Sequence, residues 1–195
     1  MTARLSRLLV VLTALFAATP AAATPEAATP EAWEALRQPG AVAVMRHALA
    51  PGFGDPPGFT LGDCSTQRDL DGRGRAQARA IGDAFRAAGV AVDRILTSRW
   101  CRCRHTAEET GLGPVEEFAA LDSFFADRST ADTQAETVRR RLARADPAQK
   151  LLLVTHQVNI SALTGRSTRS GEVLVIRVDP DGGVETLGSI AIPAP

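Results

Sequence analysis

Short apolar runs alternate with segments of helical periodicity along most of this chain, and that alternation leaves few folds open to it. Residues 41–45, 90–96, 115–118 and 151–154 have strand length, and the last, Leu-Leu-Leu-Val, carries no polar residue on either face. A strand without polar alternation is buried on both sides. Between these runs Ala76, Ala80, Ile81, Ala84, Phe85 and Ala88 recur at helical spacing, closed by Gly89. Ala131, Ala135, Val138 and Leu142 do the same ahead of Pro147. A further helix is expected with Ser98 as its cap, reaching Thr110 and Gly111. Residues 173–178 and 184–190, joined through Asp179-Pro180-Asp181-Gly182-Gly183, form a closing hairpin. The pattern specifies right-handed crossovers and an α/β fold of three layers, α/β/α, with a mainly parallel sheet flanked by helices.

The first residues read differently. Arg4 and Arg7 precede an apolar run over 8–18, and Ala21-Ala22-Ala23 supplies small residues where a signal peptidase cuts. The run is too short for the ~20 residues of a membrane helix. Residues 1–23 are therefore expected to be a signal peptide, so the protein is secreted or periplasmic, with no membrane anchor after cleavage. Residues 24–39 form a linker and a short helix, which Thr29 caps with Pro30 in its first turn and Gly40 ends. Residues 40–195 form the one folded domain, a size suited to a single core.

The 195 residues carry 22 basic and 22 acidic side chains, which excludes a general nucleic-acid binder. Lys150 is the only lysine, so the positive charge is almost all arginine, whose rigid fork suits phosphate and carboxylate. Three cysteines, Cys64, Cys101 and Cys103, fit one disulfide in an exported protein, Cys64 pairing with Cys101 or with Cys103. Zinc at Cys101-x-Cys103-x-His105 would need a fourth ligand, and residues two apart on a helix face away from each other. The Arg139-Arg140-Arg141 run belongs on a solvated helix face. No phosphate-binding Gly-rich loop, dinucleotide fingerprint or Gly-x-Ser-x-Gly nucleophile elbow is present.

In a parallel sheet the active site lies beyond the carboxyl ends of the strands. Three apolar runs end there in polar residues: Arg46-His47-Ala48, Thr97-Ser98-Arg99-Trp100-Cys101-Arg102, and Thr155-His156-Gln157. A lone histidine at a strand end is more often structural than functional. Two of the chain's three histidines, with arginines at two of the ends, point instead to a site for an anionic group. Arginine offers paired, permanently charged donors to phosphate oxygens. A neutral imidazole held through one ring nitrogen is a nucleophile near neutral pH.

Arg46-His47 after a strand, Thr97-Ser98 followed by Arg102 and Thr106-Ala107, and His156 after an apolar strand together resemble the histidine phosphatase superfamily, the phosphoglycerate mutase-like fold of branch one. Leu70-Asp71-x-x-Gly74-x-x-Gln77-Ala78 resembles a further family segment, and the resemblance covers residues 42–164. It implies a phosphate-ester hydrolase with His47 as the phosphorylated nucleophile. It also implies Arg46, Arg102 and His156 as phosphate ligands, and no metal or other cofactor. Asp122 is the candidate acid that protonates the leaving oxygen, ahead of Glu116 and Glu117. Two departures stand out: Ala48 replaces the family's glycine, and Gln157 follows the second histidine, where its amide is a candidate partner for phosphate or leaving group.

Residues 63–68 and Cys101-Arg102-Cys103 resemble small exported members, which suggests a small phosphorylated substrate such as a sugar phosphate. Phe53, Pro56, Pro57 and Phe59 lie in the loop after His47 and are candidates for shaping the pocket. The competing expectations are a phosphomutase, which fits export poorly, and a degenerate protein that binds a phosphorylated ligand without turning it over.

Overall fold

The wholly apolar run becomes an interior strand of a six-stranded sheet. A computed structural model describes residues 30–194 of the protein. The expected signal peptide and the Thr29 cap lie outside the described residues. The elements are α1 (Pro30–Arg37), β1 (Ala41–Arg46), α2 (Gly72–Ala87), β2 (Arg94–Thr97), α3 (Cys101–Thr110), β3 (Val115–Glu117), α4 (Ala131–Ala143), β4 (Leu151–Thr155), α5 (Gln157–Thr164), β5 (Val173–Val178) and β6 (Val184–Ile190). The strand order is β3-β2-β4-β1-β5-β6. The first four strands run parallel, and β5 and β6 extend the β1 edge in antiparallel fashion.

The three layers follow from side-chain alternation. Ala41, Ala43 and Met45 of β1, with Leu152 and Val154 of β4, face one core shared with Leu36 of α1, Ile81 and Phe85 of α2, and Ala107 of α3. Val42, Val44, Leu151 and Leu153 face the other, with Val138 and Leu142 of α4 and Ile160 and Leu163 of α5. Each fully buried Leu, Ile or Phe contributes about 1.5–3 kcal/mol relative to exposure. From β1 the chain passes through β2 to the outer strand β3, and β4 then returns between β2 and β1.

Four local differences from the sequence expectations have physical causes. Strand β2 begins only at Arg94, where its pairing with β4 starts, and Val90 and Val92 ahead of it pack into the core outside the ladder. Strand β3 is a short exposed edge. Helix α5 has only eight residues, too few to display a period. Ser98 does not cap α3, which starts after Trp100 without a side-chain cap bond.

The cysteine question resolves to Cys64–Cys101, with Cys103 buried and free. The bond ties the loop after β1 to the first residue of α3. It spans 37 residues, so loop closure alone gives it about 4 kcal/mol. Reduction, or Cys64→Ser, should lower unfolding free energy by about 2–4 kcal/mol in urea titrations. An unchanged midpoint would show that the unfolded chain does not gain from the cut.

Candidate active site

Strands β1 and β4 pair with Arg46 opposite Thr155, so the residues that follow, His47 and His156, emerge side by side. The ladder continues one step further: the His47 amide donates to the Thr155 carbonyl at 2.9 Å, and the Ser98 amide to the Val154 carbonyl at 3.0 Å. Three strand ends thus stop at one level. The imidazole centroids of His47 and His156 lie 5.6 Å apart, at the base of a cleft of about 820 Å³.

His47 is 2% exposed, and its Nδ1 lies 2.8 Å from the Ala48 carbonyl. A carbonyl only accepts, so Nδ1 carries the hydrogen and Nε2 keeps its lone pair. The turn after His47 is held from three sides. The Ala48 amide donates to Thr106 Oγ1 at 3.0 Å, and the Leu49 amide to Gln77 Oε1 at 2.9 Å. Gly74 lets α2 approach, since a Cβ there would stand 1.9 Å from the Leu49 carbonyl oxygen. The Gly74-x-x-Gln77 motif is therefore the scaffold of the histidine turn. Ala48 sits without strain, because no non-glycine residue among those described has a positive φ, and its side chain packs with Ala50, Leu70 and Ala78.

His156 is held by a chain of donors. Arg102 Nη2 lies 3.4 Å from His156 Nδ1, and guanidinium only donates, so Nδ1 accepts and Nε2 carries the hydrogen. Nε2 then donates to Ser98 Oγ at 2.9 Å, and Ser98 Oγ donates to Asp122 Oδ1 at 3.2 Å. Burial, followed by the charges of Arg102 and other neighbours, holds His156 well below the usual imidazole value of 6.5. Burial also lowers His47 well below it, opposed by the Ala48 bond and assisted by Arg102, Arg46 and Arg68. Both rings are neutral at neutral pH.

Three guanidinium groups converge on them. Arg46 ends β1, Arg102 lies in the first turn of α3, and Arg68 comes from the loop between β1 and α2. Burial and the neighbouring positive charge of Arg102 lower the proton affinity of both Arg46 and Arg68. Arg46 Nε and Arg102 Nε are buried without a hydrogen-bond partner. Such a group of crowded, under-used donors is built for an oxyanion. Arg68 also lines the cleft and is not singled out in the sequence, because no strand end marks it. The signal available was its place in the segment that follows Cys64.

The remaining candidates divide. Arg102, not Arg99, reaches the cleft. Asp122 does not line it: its carboxylate accepts from Arg99 Nε at 2.7 Å, the Arg99 amide at 2.8 Å and Ser98 Oγ, behind His156. In that place it accepts from Ser98 Oγ, which in turn meets His156 Nε2. Glu116 pairs with Arg94, and Glu117 with Arg104, on the β3 edge. Phe53 and Phe59 line the cleft together with Trp100, Phe124 and Phe125, whereas Pro56 and Pro57 do not. Gln157 lines it too, but its amide holds the 166–168 loop through Thr168, Ser161 and Arg166. Asp55, on the loop after β1, was not singled out in the sequence, yet it faces Arg102.

The cysteine–histidine run goes to three separate places. Cys101 is in the disulfide, Cys103 lies against His156, and His105 binds Asp69. Burial pushes the Cys103 thiol up to about 12, so it stays protonated. Among the described residues no group of three or more His, Cys, Asp or Glu side chains could hold a metal ion, and no helix is long and apolar enough to cross a membrane.

The pH dependence of stability follows from the two buried rings. Below about pH 6.5 the unfolded chain takes up protons on these imidazoles and the folded protein does not, so stability falls with falling pH. Each ring contributes up to about 1.4 kcal/mol per pH unit. Urea midpoints should drop between about pH 7 and about pH 5, and His47→Asn or His156→Asn should flatten that slope. A wild-type midpoint independent of pH in this window would mean that the rings charge in place.

Residues 63–124 match the family model described as histidine phosphatase superfamily (branch 1). No curated protein sequence matches the chain. Among solved structures, the protein histidine phosphatase SixA complexed with tungstate superposes with a TM-score of 0.55 at 17% identity, covering 77% of this chain and 96% of that one. An Entamoeba histolytica phosphoserine phosphatase in complex with 3-phosphoglyceric acid gives 0.56 at 11%, covering 77% and 96%. A mycobacterial glucosyl-3-phosphoglycerate phosphatase gives 0.52 at 16%, covering 78% and 100%.

Proposed function

We propose that the chain is an exported phosphomonoesterase of the histidine phosphatase superfamily, branch 1, whose model matches residues 63–124, and that it works through a phosphohistidine on His47. The observation that carries this reading is the environment of His47: a buried, neutral imidazole with Nδ1–H on a carbonyl and Nε2 free, among three arginines. Nε2 attacks phosphorus, the N–P bond forms as the ester P–O bond breaks, and water then hydrolyses the phosphohistidine. Arg46, Arg68 and Arg102 balance the charge on the three equatorial oxygens, with His156 beside them. Fixed guanidinium charge supplies what a metal would otherwise supply, so the reaction is proposed to need none.

Tungstate in the similar SixA structure is a tetrahedral oxyanion, and the other two similar structures are phosphatases of small phosphorylated molecules by name. A small substrate suits a cleft of about 820 Å³. Phe53, Phe59 and Trp100 give it apolar walls on which the CH face of a sugar phosphate can stack. Export is supported by the basic-then-apolar pattern of residues 1–23 and by the Cys64–Cys101 bond, which persists in oxidising compartments.

The purified protein should hydrolyse an aryl phosphate in the presence of chelator, and His47→Ala should lower kcat by about 10³-fold or more. Enzyme quenched in alkaline detergent should retain phosphate in a linkage that is stable to base and released by acid. Turnover without such an intermediate would overturn the covalent route. Protection against heat by inorganic phosphate with no turnover of any ester would favour a binding protein instead.

A further inference from the structure

Within the phosphatase function above, on which this inference rests, the proton of the leaving group has no donor among the residues assigned so far. His47 presents a lone pair, His156 donates away from the cleft to Ser98, and Asp122 is locked behind it by Arg99. Among the described residues lining the cleft, only Asp55 is acidic. Its Oδ1 accepts from Arg102 Nη1 at 2.7 Å and from the Arg68 amide at 3.2 Å, and its Oδ2 from Trp100 Nε1 at 3.1 Å. The guanidinium that holds Asp55 through Nη1 meets His156 through Nη2, so one arginine joins the carboxylate to the histidine pair.

We propose that Asp55, not Asp122, is the general acid and base of the reaction. Arg102 Nη1 holds a carboxylate oxygen where a phosphoryl oxygen can equally bind. When the substrate engages Arg102, its phosphoryl oxygens take the guanidinium from Asp55, and the carboxyl is free to face the leaving oxygen. Asp55 lines the same cleft as the aromatic side chains of Phe53 and Phe59, which lie two residues before it and four after it in the chain. In the first step His47 Nε2 bonds to phosphorus, the P–O ester bond breaks, and the carboxyl proton passes to the departing oxygen, releasing the alcohol. In the second step the Asp55 carboxylate takes a proton from water as its oxygen bonds to phosphorus and the N–P bond breaks. Phosphate leaves, His47 regains its lone pair, and Asp55 is protonated for the next turnover. Trp100 Nε1–H and the Arg68 amide anchor the loop end that carries the group.

The test compares an alkyl phosphate, whose alkoxide needs a proton, with 4-nitrophenyl phosphate, whose phenoxide does not. The readout is kcat/KM, which reports events up to phosphoenzyme formation. In Asp55→Asn the alkyl ester should fall by about 10²–10⁴-fold and the nitrophenyl ester by less than about tenfold. The variant should also release a burst of nitrophenol as phosphoenzyme accumulates, because the base of the second step is gone. Asp55→Glu, which keeps the carboxyl, should recover part of the alkyl activity.

An equal fall for both esters would overturn the assignment and make Asp55 a prop for Arg102. Undiminished alkyl turnover with tighter inhibition by inorganic phosphate would also overturn it, leaving Asp55 a competing counter-ion. Inactivity of the wild-type protein toward both esters is a separate result that sinks the phosphatase function itself.

Discussion

Parallel pairing of β1 with β4 is the interaction on which the rest of the cleft depends. The register sets Arg46 against Thr155 and Thr97 against Val154, so three neighbouring strands end together. The next residues, His47, His156 and Ser98, are then neighbours without any further device. A slip of one residue between β1 and β4 would turn every β1 side chain to the opposite face and carry His47 away from His156. The apolar composition of β4 guards against the slip, since its five residues are all buried. Core packing and active-site geometry are in this sense one constraint.

That constraint creates an electrostatic problem. Arginine stays charged at any physiological pH, and Arg46, Arg68 and Arg102 stand close enough to disfavour one another. The two imidazoles respond by remaining neutral. Carboxylates deal with the rest: Asp122 holds Arg99 away from the cleft, and Asp55 faces Arg102 within it. The similar chemistry of the two aspartates conceals different places. One is buried behind Ser98 and bonded to it and to Arg99. The other pairs with Arg102 inside the cleft, on the guanidinium proposed to take a phosphoryl group.

The alternation of apolar runs and helical periods was enough to read the layers, the strands within a few residues, and the three strand ends that meet. These features come from periodicity and burial, which act over short stretches of chain. His47, His156, Arg46 and Arg102 were visible as candidates because strand ends are where a parallel sheet opens. Arg68 and Asp55 were not, since both lie in the loop after β1, where neither period nor burial speaks; Arg68 had only its place after Cys64 to mark it, and Asp55 shows itself only through its contact with Arg102. Asp122 lies outside the cleft lining for a different reason. Its place after β3 was read correctly, but which face of that loop it takes depends on Arg99, a contact made across the chain. The cysteine pairing was likewise a matter of three-dimensional distance, open between two partners until α3 was seen to turn Cys103 inward.

The disulfide bears on the electrostatics as well as on stability. Arg68 and Arg102 carry like charges on different elements, and nothing in their own chemistry draws them together. Cys64 and Cys101 lie a few residues before them, and the bond between these two fixes the segments that bear the guanidiniums. Gln67 adds a second tie, its Oε1 accepting from the Cys101 amide at 3.0 Å. A cross-link is suited to this task because, unlike an ion pair, it does not weaken when an anionic substrate rearranges the charges around it. The phosphate-facing half of the cleft is therefore held by a strand ladder and a covalent bond. Across its mouth the aromatic pair Phe53–Phe125, with centroids 5.2 Å apart, joins two exposed loops by contact alone. Rigidity thus falls where every phosphate ester is alike, and adaptable contact falls where leaving groups differ.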